Sequence, residues 1–212
     1  HTIALMLALS KLVVRTDRLM RRGKWREEAD FRGRELKGRT LGVVGAGRIG
    51  ARVAEIARLG FNMAVLYSDV RPNAHVEELD GRRCSLDDLL QQSDFVTLHV
   101  PLLPETEYLI GERELKLMKP SAYLLNLARG KVVNEAALIA ALQSGQIAGA
   151  GLDVYAVEPL PPDNPLLQME NVVLTPHMSS HTDDALLAMA MVAKDIVAVL
   201  KGQTPQFPVN QV

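Results

Sequence analysis

This chain has only one cysteine and almost no net charge, and it contains no long apolar run. Cys84 is the only cysteine among 212 residues, so no intrachain disulfide can form and an oxidising compartment is not implied. The formal net charge of −1 gives no overall attraction to nucleic acid or to a membrane surface. The apolar run at residues 3–9 is far too short to span a bilayer. We therefore expect a cytoplasmic globular protein that binds neither nucleic acid nor membrane.

The sequence does contain a glycine pattern directly after an apolar run. Residues 40–44 predict a strand that enters Gly45, Gly47 and Gly50 in the spacing G-x-G-x-x-G, and a helical pattern follows. Gly45 allows a tight turn, Gly47 lets the backbone approach a pyrophosphate, and Gly50 lets the helix pack closely on the sheet. The free N–H groups at the start of the helix would then face the phosphates. The pattern predicts a dinucleotide site.

An acidic residue completes this pattern. A second apolar run, residues 63–67, is followed by Asp69, which lies 19 residues after Gly50. A carboxylate at this place can accept hydrogen bonds from an adenosine ribose. It also repels a 2′-phosphate and so favours NAD over NADP, although Arg71 would weaken that preference. Because strands, helix and acid agree, a dinucleotide site is favoured over a simple glycine turn.

Strand and helix patterns alternate through the rest of the chain. Buried strands interrupted by crossover helices indicate a parallel sheet with helices on both faces. The fold class is therefore α/β, a Rossmann-type doubly wound parallel sheet. The predicted helices are residues 1–20, 86–91, 135–143 and 182–200, and the further strands are residues 95–98, 122–127, 147–154 and 172–174. No spacing typical of metal ligands is present in the sequence.

Residues 15–39 form a basic stretch, with ten Lys and Arg against five Asp and Glu. A solvated connector or an arm that contacts a second subunit is favoured over a nucleic-acid patch. Trp25 and Phe31 offer apolar anchors for a partner subunit. Leu5 and Leu9 also need cover if no other domain packs on them, which points to a homodimer.

Four polar residues lie at or after predicted strand ends and should meet at one edge of the sheet: Arg129, Asp153, Glu158 and His177. Taken singly, each has an ordinary structural explanation, such as a loop tie or a turn cap. Together they would suit carbonyl reduction by a nicotinamide cofactor. Arg129 can clamp a carbonyl or carboxylate, and His177 can give and take a proton. A carboxylate such as Glu158 beside His177 would favour the imidazolium form.

The chain resembles the D-isomer-specific 2-hydroxyacid dehydrogenases over almost all of its length. The likeness rests on residues 42–50, 98–102, 126–130, 151–155, Glu158 with Pro159, and 175–177. The resemblance implies that Arg129 binds the substrate, that His177 is the acid and base, and that Glu158 is its partner. Glu158 also distinguishes the chain from formate dehydrogenases, which resemble this family but have Gln at that place.

The resemblance also implies a set of cofactor contacts. Asp153 would hold the nicotinamide side, and Ser179 would touch the nicotinamide amide. Arg48 and Ile49 would cover the pyrophosphate, with Asp69 on the adenosine ribose. The full expected cofactor set is Gly45, Gly47, Arg48, Ile49, Gly50, Asp69, His99, Val100, Pro101, Ala128, Asp153 and Ser179.

The same resemblance predicts three segments. Residues 1–40 would be an N-terminal helix with a basic dimerisation arm, and residues 41–190 the dinucleotide-binding domain. Residues 191–212 would be the end of the last helix and a tail that packs on a substrate domain. Family members have such a second domain, built mostly from residues before the cofactor domain. We therefore expect these 212 residues to bind cofactor and to be weakly active by themselves.

The expected activity is NAD-dependent transfer of a hydride between the cofactor and a small 2-keto or D-2-hydroxy acid, similar to glyoxylate or hydroxypyruvate. A non-enzymatic, NAD-sensing dimer similar to the corepressors of this family is one alternative. Another is phosphite oxidation, which would use the same Arg, Glu and His. The residues themselves do not separate these three possibilities.

Overall fold

The structure, a computed structural model, describes residues 1–25 and 32–208. Its centre is a seven-stranded sheet in which every neighbouring pair is parallel. The strand order is β3-β2-β1-β4-β5-β6-β7. The strands are β1 (Thr40–Val44), β2 (Ala64–Ser68), β3 (Arg82–Arg83), β4 (Phe95–Leu98), β5 (Tyr123–Asn126), β6 (Gly149–Leu152) and β7 (Val172–Leu174). The predicted α/β class with a doubly wound parallel sheet is therefore confirmed.

Helices cover both faces of this sheet. Side chains alternate along each strand, so Leu124 and Leu125 belong to separate apolar clusters on opposite faces. The helices described are α1 (Thr2–Ser10), α2 (Val13–Arg21), α3 (Arg48–Phe61), α4 (Ala74–Glu78), α5 (Leu86–Gln92), α6 (Glu112–Leu117), α7 (Glu135–Gln143), α8 (Asp183–Ala190) and α9 (Val192–Leu200). Two short 3₁₀ helices span Gly130–Val132 and Pro165–Gln168.

The direction of the crossovers reverses between β1 and β4. From β1 the chain runs to β2 and β3 on one side, and it then returns to β4 on the other side. In open parallel sheets a ligand binds at such a reversal, outside the carboxyl ends of the strands. The topology therefore predicts a binding site at this edge.

The single helix predicted over residues 1–20 is wrong. The chain forms α1 and α2 instead, and Leu12 between them has a left-handed conformation with φ of 57°. The carbonyl of Ser10 accepts the N–H of Arg34 at 2.6 Å, so it does not continue the helical hydrogen bonding. A partner 24 positions away in the chain thus ends the helix, and no local pattern indicates it.

The apolar surface of α1 also differs from the expectation. Leu5 and Leu9 are buried, because they pack against the sheet next to Gly151. They therefore need no second subunit to cover them. Trp25 is exposed, as a subunit anchor would be before assembly. The other proposed anchor, Phe31, lies outside the described residues.

The chain divides into two compact units, His1–His177 and Met178–Val212. Within the second unit, the helix predicted over residues 182–200 forms α8 and α9 with Met191 between them. The N–H of Lys194 donates to the carbonyl of Met191, a three-residue spacing that tightens the helix there. Across the described ranges, no helix is both long and apolar enough to cross a membrane.

Candidate active site

The glycine turn lies between β1 and α3. Gly45 has φ of 91°, which a residue with a side chain rarely adopts, and its N–H donates to the carbonyl of Ser68. At Gly50, a Cβ would lie 2.0 Å from the carbonyl oxygen of Gly45, so only glycine lets α3 start this close to the turn. Gly47 caps α3, and a Cβ there would have no atom within 4 Å. The turn therefore leaves open space above Gly47, as a cradle for a pyrophosphate requires.

Asp69 lies beside this turn, at the end of β2. Its carboxylate accepts the backbone N–H of Ala46 at 2.7 Å and that of Arg71 at 3.1 Å. The guanidinium of Arg83 donates to the carbonyls of Asp69 and Val70. Asp69 is thus held in place by backbone amides, and each of its oxygens has a further lone pair for a ligand.

The segment after β4 forms the other side of the turn. A Cβ at Gly45 would lie 2.8 Å from the carbonyl carbon of His99 and 2.9 Å from Cγ1 of Val100. Nε2 of His99 lies 3.0 Å from Oγ1 of Thr97. Burial lowers the pKa of His99 to about 4, so its imidazole is neutral at physiological pH. The exposed Pro101 follows at the rim.

A histidine and a carboxylate meet after β6 and β7. Nδ1 of His177 lies 2.7 Å from Oε2 of Glu158, and the other carboxylate oxygen accepts the N–H of Tyr155 at 3.0 Å. Partial burial opposes ionisation of Glu158, but the bonds from His177 and Tyr155 outweigh it and lower the pKa of Glu158. The side chains of His177 and Glu158 are 50% and 37% exposed, so the pair is open to a ligand.

Arg129 is exposed in the loop after β5, at the same edge of the sheet. The buried Asn126 shapes this loop, because its side chain donates to the carbonyl of Arg129 and accepts the N–H of Ala128. A Cβ at Gly130 would lie 1.8 Å from the carbonyl oxygen of Tyr155, so the loop presses against the segment that carries Glu158. The guanidinium of Arg129 donates to the carbonyl of Ala128 at 2.7 Å.

Asp153 is fully buried after β6. Its carboxylate accepts the hydroxyl of Thr175 at 2.5 Å, and Nε2 of His1 lies 3.0 Å from the same hydroxyl oxygen. The hydroxyl of Tyr155 donates to the carbonyl of Thr175 at 2.8 Å. Thr175 and Asn126 also hold parts of the site in place, although both lie in segments for which the sequence implied only a resemblance and no role for these two residues. Their signal was available, because each is a polar residue at or directly after a strand end.

The remaining expected cofactor residues are distributed over both units. Arg48 and Ile49 are exposed in the first turn of α3. Ser179 is exposed and belongs to the unit Met178–Val212, separate from the unit that holds the other residues. In the part of the chain that the structure describes, no group of three or more His, Cys, Asp or Glu side chains is placed to hold a metal ion.

This chain is similar in sequence and in structure to known proteins. Glyoxylate reductase from Korarchaeum cryptofilum is 49% identical over an alignment of 213 positions, which covers 98% of this chain and 64% of that protein. The TT0316 protein from Thermus thermophilus has a TM-score of 0.90 and 44% identity, and the match covers 99% of this chain and 66% of that one. D-lactate dehydrogenase from Aquifex aeolicus, solved with NAD and lactic acid, has a TM-score of 0.87 and 38% identity, over 95% and 65% of the two chains.

These matches cover nearly the whole of this chain but not the whole of the relatives. The chain spans slightly less than two thirds of the length of the curated relative. The family described as D-isomer specific 2-hydroxyacid dehydrogenase, NAD binding domain, matches residues 3–179. That range contains the glycine turn, Asp69, Arg129, Glu158 and His177. The chain therefore belongs to the D-isomer specific 2-hydroxyacid dehydrogenases, as an NAD-binding domain of that family.

Proposed function

We propose that the protein interconverts a small 2-keto acid and its D-2-hydroxy acid with NAD(H), and that glyoxylate or hydroxypyruvate is the keto acid. The observation that carries the proposal is the bond between His177 and Glu158, at the same sheet edge as Arg129 and the glycine turn. The glyoxylate reductases among its relatives support the substrate class.

We call Arg129, Glu158 and His177 the triad, and the contacts of each residue support a role for it. NADH, when bound, supplies the hydride to the carbonyl carbon of the keto acid. His177 donates the proton to the carbonyl oxygen, and Glu158 orients the imidazole through its contact with Nδ1. Arg129 binds the carbonyl and carboxylate oxygens, because a guanidinium can hold two oxygens at once. In the reverse direction His177 accepts the proton from the hydroxyl.

The proposed cofactor residues are assigned to separate parts of the NAD molecule. Asp69 would bind the adenosine ribose and select NAD over NADP by repelling a 2′-phosphate. The turn at Gly45, Gly47 and Gly50 would hold the pyrophosphate, and Asp153 the nicotinamide side. The further proposed contacts are Arg48, Ile49, His99, Val100, Pro101, Ala128 and Ser179.

We further propose that the protein works as a homodimer in the cytoplasm. Exposed Trp25, in the basic stretch after α2, supports an arm that contacts a second subunit. The single cysteine, Cys84, supports the compartment, because no intrachain disulfide calls for an oxidising one. The proposed division of the chain is residues 1–40 as helix and arm, 41–190 as the cofactor domain and 191–212 as the part that packs on a substrate domain.

The test is to assay NADH oxidation with glyoxylate and hydroxypyruvate, and NAD reduction with phosphite. We expect turnover with the keto acids only. His177→Asn should lower kcat by about a hundred- to ten-thousandfold, the usual contribution of a general acid, while the Kd for NADH stays within about twofold. His75→Asn is the matched control, because His75 lies 3.4 Å from Glu55 in another His–Glu pair. Turnover with phosphite alone, or NADH binding without any turnover, would contradict the proposal.

A further inference from the structure

Asn73 is a residue near the glycine turn that the roles above do not use. It precedes α4, and its side-chain oxygen accepts the N–H of Val76 at 3.1 Å, which caps that helix. Its side-chain nitrogen donates to the carbonyl of Ala46 at 2.6 Å. Ala46 lies between the first two glycines of the turn, 27 positions earlier in the chain. A helix cap thus also reaches the glycine turn.

The core holds Asn73 in this position. Its backbone N–H donates to the hydroxyl oxygen of Tyr67 at 3.0 Å, and that hydroxyl donates to Glu77 at 2.5 Å. Tyr67 is fully buried in β2. The carboxamide of Asn73 is therefore anchored through its backbone, through its oxygen and through its nitrogen, and it has little freedom to turn away.

The bond to Ala46 fixes the direction of a neighbouring N–H group. A peptide unit is planar and trans, so the carbonyl of Ala46 and the N–H of Gly47 point in opposite directions within one plane. Holding that carbonyl therefore orients the N–H of Gly47, the residue that caps α3. Asp69 holds the preceding peptide unit through the N–H of Ala46. Two consecutive peptide units of the turn are thus fixed from the β2 side.

We propose that Asn73 is a positioning residue for the cofactor, whose carboxamide aims the N–H of Gly47 at the pyrophosphate. This inference rests on the proposed cofactor site at the glycine turn, and it is independent of which substrate is reduced. Asn73 itself does not touch the reacting atoms. Its effect on binding should therefore depend on whether the ligand carries a pyrophosphate.

Asn73→Ser separates this role from helix capping. Serine is as good a helix cap as asparagine, but it has no N–H₂ group that can reach Ala46. We expect Asn73→Ser to weaken NADH binding about three- to tenfold, the effect of losing one hydrogen bond that orients the site. The affinity for ADP, measured by competition with NADH fluorescence, should fall by the same factor. The affinity for adenosine, which has no pyrophosphate, should change by less than about twofold.

Asn134→Ser is the matched control. Asn134 caps α7 by accepting the N–H of Ala137 at 3.0 Å, so the same substitution removes the same kind of amide from another cap. We expect its NADH and ADP affinities to equal those of the unchanged protein. Asn73→Asp, which keeps the shape and the cap but cannot donate to Ala46, is the second variant if Asn73→Ser unfolds.

The outcomes separate this inference from the proposed activity. Unchanged NADH affinity in Asn73→Ser or Asn73→Asp would overturn the inference, and so would an equal loss for adenosine and ADP. If the unchanged protein binds NADH but reduces no keto acid, the proposed activity fails while the role of Asn73 is still measured by binding. If it binds no NADH, both fail.

Discussion

Burial of His99 determines its charge at the edge of the glycine turn. The imidazole is near Gly45 and pairs with Thr97, and its pKa is lowered to about 4 from an ordinary value of 6.5. It therefore adds no positive charge beside the proposed cofactor at physiological pH. The same shift links the stability of the protein to pH, because the unfolded chain binds a proton at His99 more readily than the folded chain does.

We expect His99 to reduce the free energy of unfolding as the pH falls from about 6.5 to about 4. In this window the unfolded chain takes up the proton first, and the loss is at most about 1.4 kcal/mol per pH unit. Urea unfolding of the unchanged protein and of His99→Gln across this range measures the effect. The free energy of unfolding of the unchanged protein minus that of His99→Gln should decrease steadily as the pH is lowered through this range. A difference that stays constant would contradict the lowered pKa of His99. His75→Gln, which removes an exposed histidine, controls for the substitution.

For single residues, the sequence predicts positions better than it predicts hydrogen-bond partners. Arg129, Glu158 and His177 follow strands, and parallel strands bring their ends to one edge, so their common location follows from the pattern. Two hydrogen bonds do not follow from the pattern: the one from the Thr175 hydroxyl to Asp153, and the one from the side-chain amide of Asn73 to the carbonyl of Ala46. Those contacts depend on how the chain turns after each strand, which no periodicity encodes.

Among the elements, the packing of α3 against the glycine turn depends on one glycine, while a second glycine leaves room for ligand. Gly50→Ala would place a Cβ 2.0 Å from a backbone oxygen of Gly45 and 3.1 Å from Val43. Backbone atoms cannot yield as a flexible side chain can, so α3 must move away from β1. Gly47 is in the extended region, with φ of −71°, and a Cβ there meets nothing within 4 Å.

We expect Gly50→Ala to lower the free energy of unfolding by about 1–3 kcal/mol and to abolish NADH binding, because it overpacks the turn. Gly47→Ala should lose less stability than Gly50→Ala, because its only cost is that alanine is a poorer helix cap than glycine. It should bind NADH more weakly, because its Cβ would stand where the proposed pyrophosphate approaches. Thermal unfolding and NADH titration of both variants test this. Gly60→Ala, in the last turn of α3, also has open space and is the control. Equal stability of Gly50→Ala and Gly47→Ala would contradict the prediction.

The elements themselves could be predicted where local patterns decide them. The bounds of β4, β7 and α7 agree with the sequence prediction, because apolar runs and capping residues mark their ends. The break at Leu12 could not be predicted, since it follows from the bond between Ser10 and Arg34. Tertiary contacts between distant segments therefore set the boundaries that the patterns miss.

For the molecule as a whole, the exposure of the sheet edge that carries Arg129, Glu158 and His177 matters more to the rate of the proposed reaction than the residue types there. Arg129 is exposed, and the side chain of His177 is 50% exposed. A hydride transfer is favoured when water is kept from the reacting groups. A sheet edge that is this exposed does not exclude water. The relatives are longer than this chain, which spans 64% of the glyoxylate reductase from Korarchaeum cryptofilum.

We therefore expect a polypeptide of these 212 residues to bind NADH but to reduce glyoxylate slowly. Its kcat should lie at least about a hundredfold below the typical enzyme value of about 10 s⁻¹, because the glycine turn is complete while the triad is open to water. Stopped-flow or long-time NADH assays measure the rate, and a parallel NADH titration shows that the cofactor site is intact. His177→Asn should remove the residual rate, which identifies it as chemistry at this site. A kcat near the typical value would mean that the edge formed by β5, β6 and β7 excludes water by itself, and that burial of the triad is not needed for the reaction.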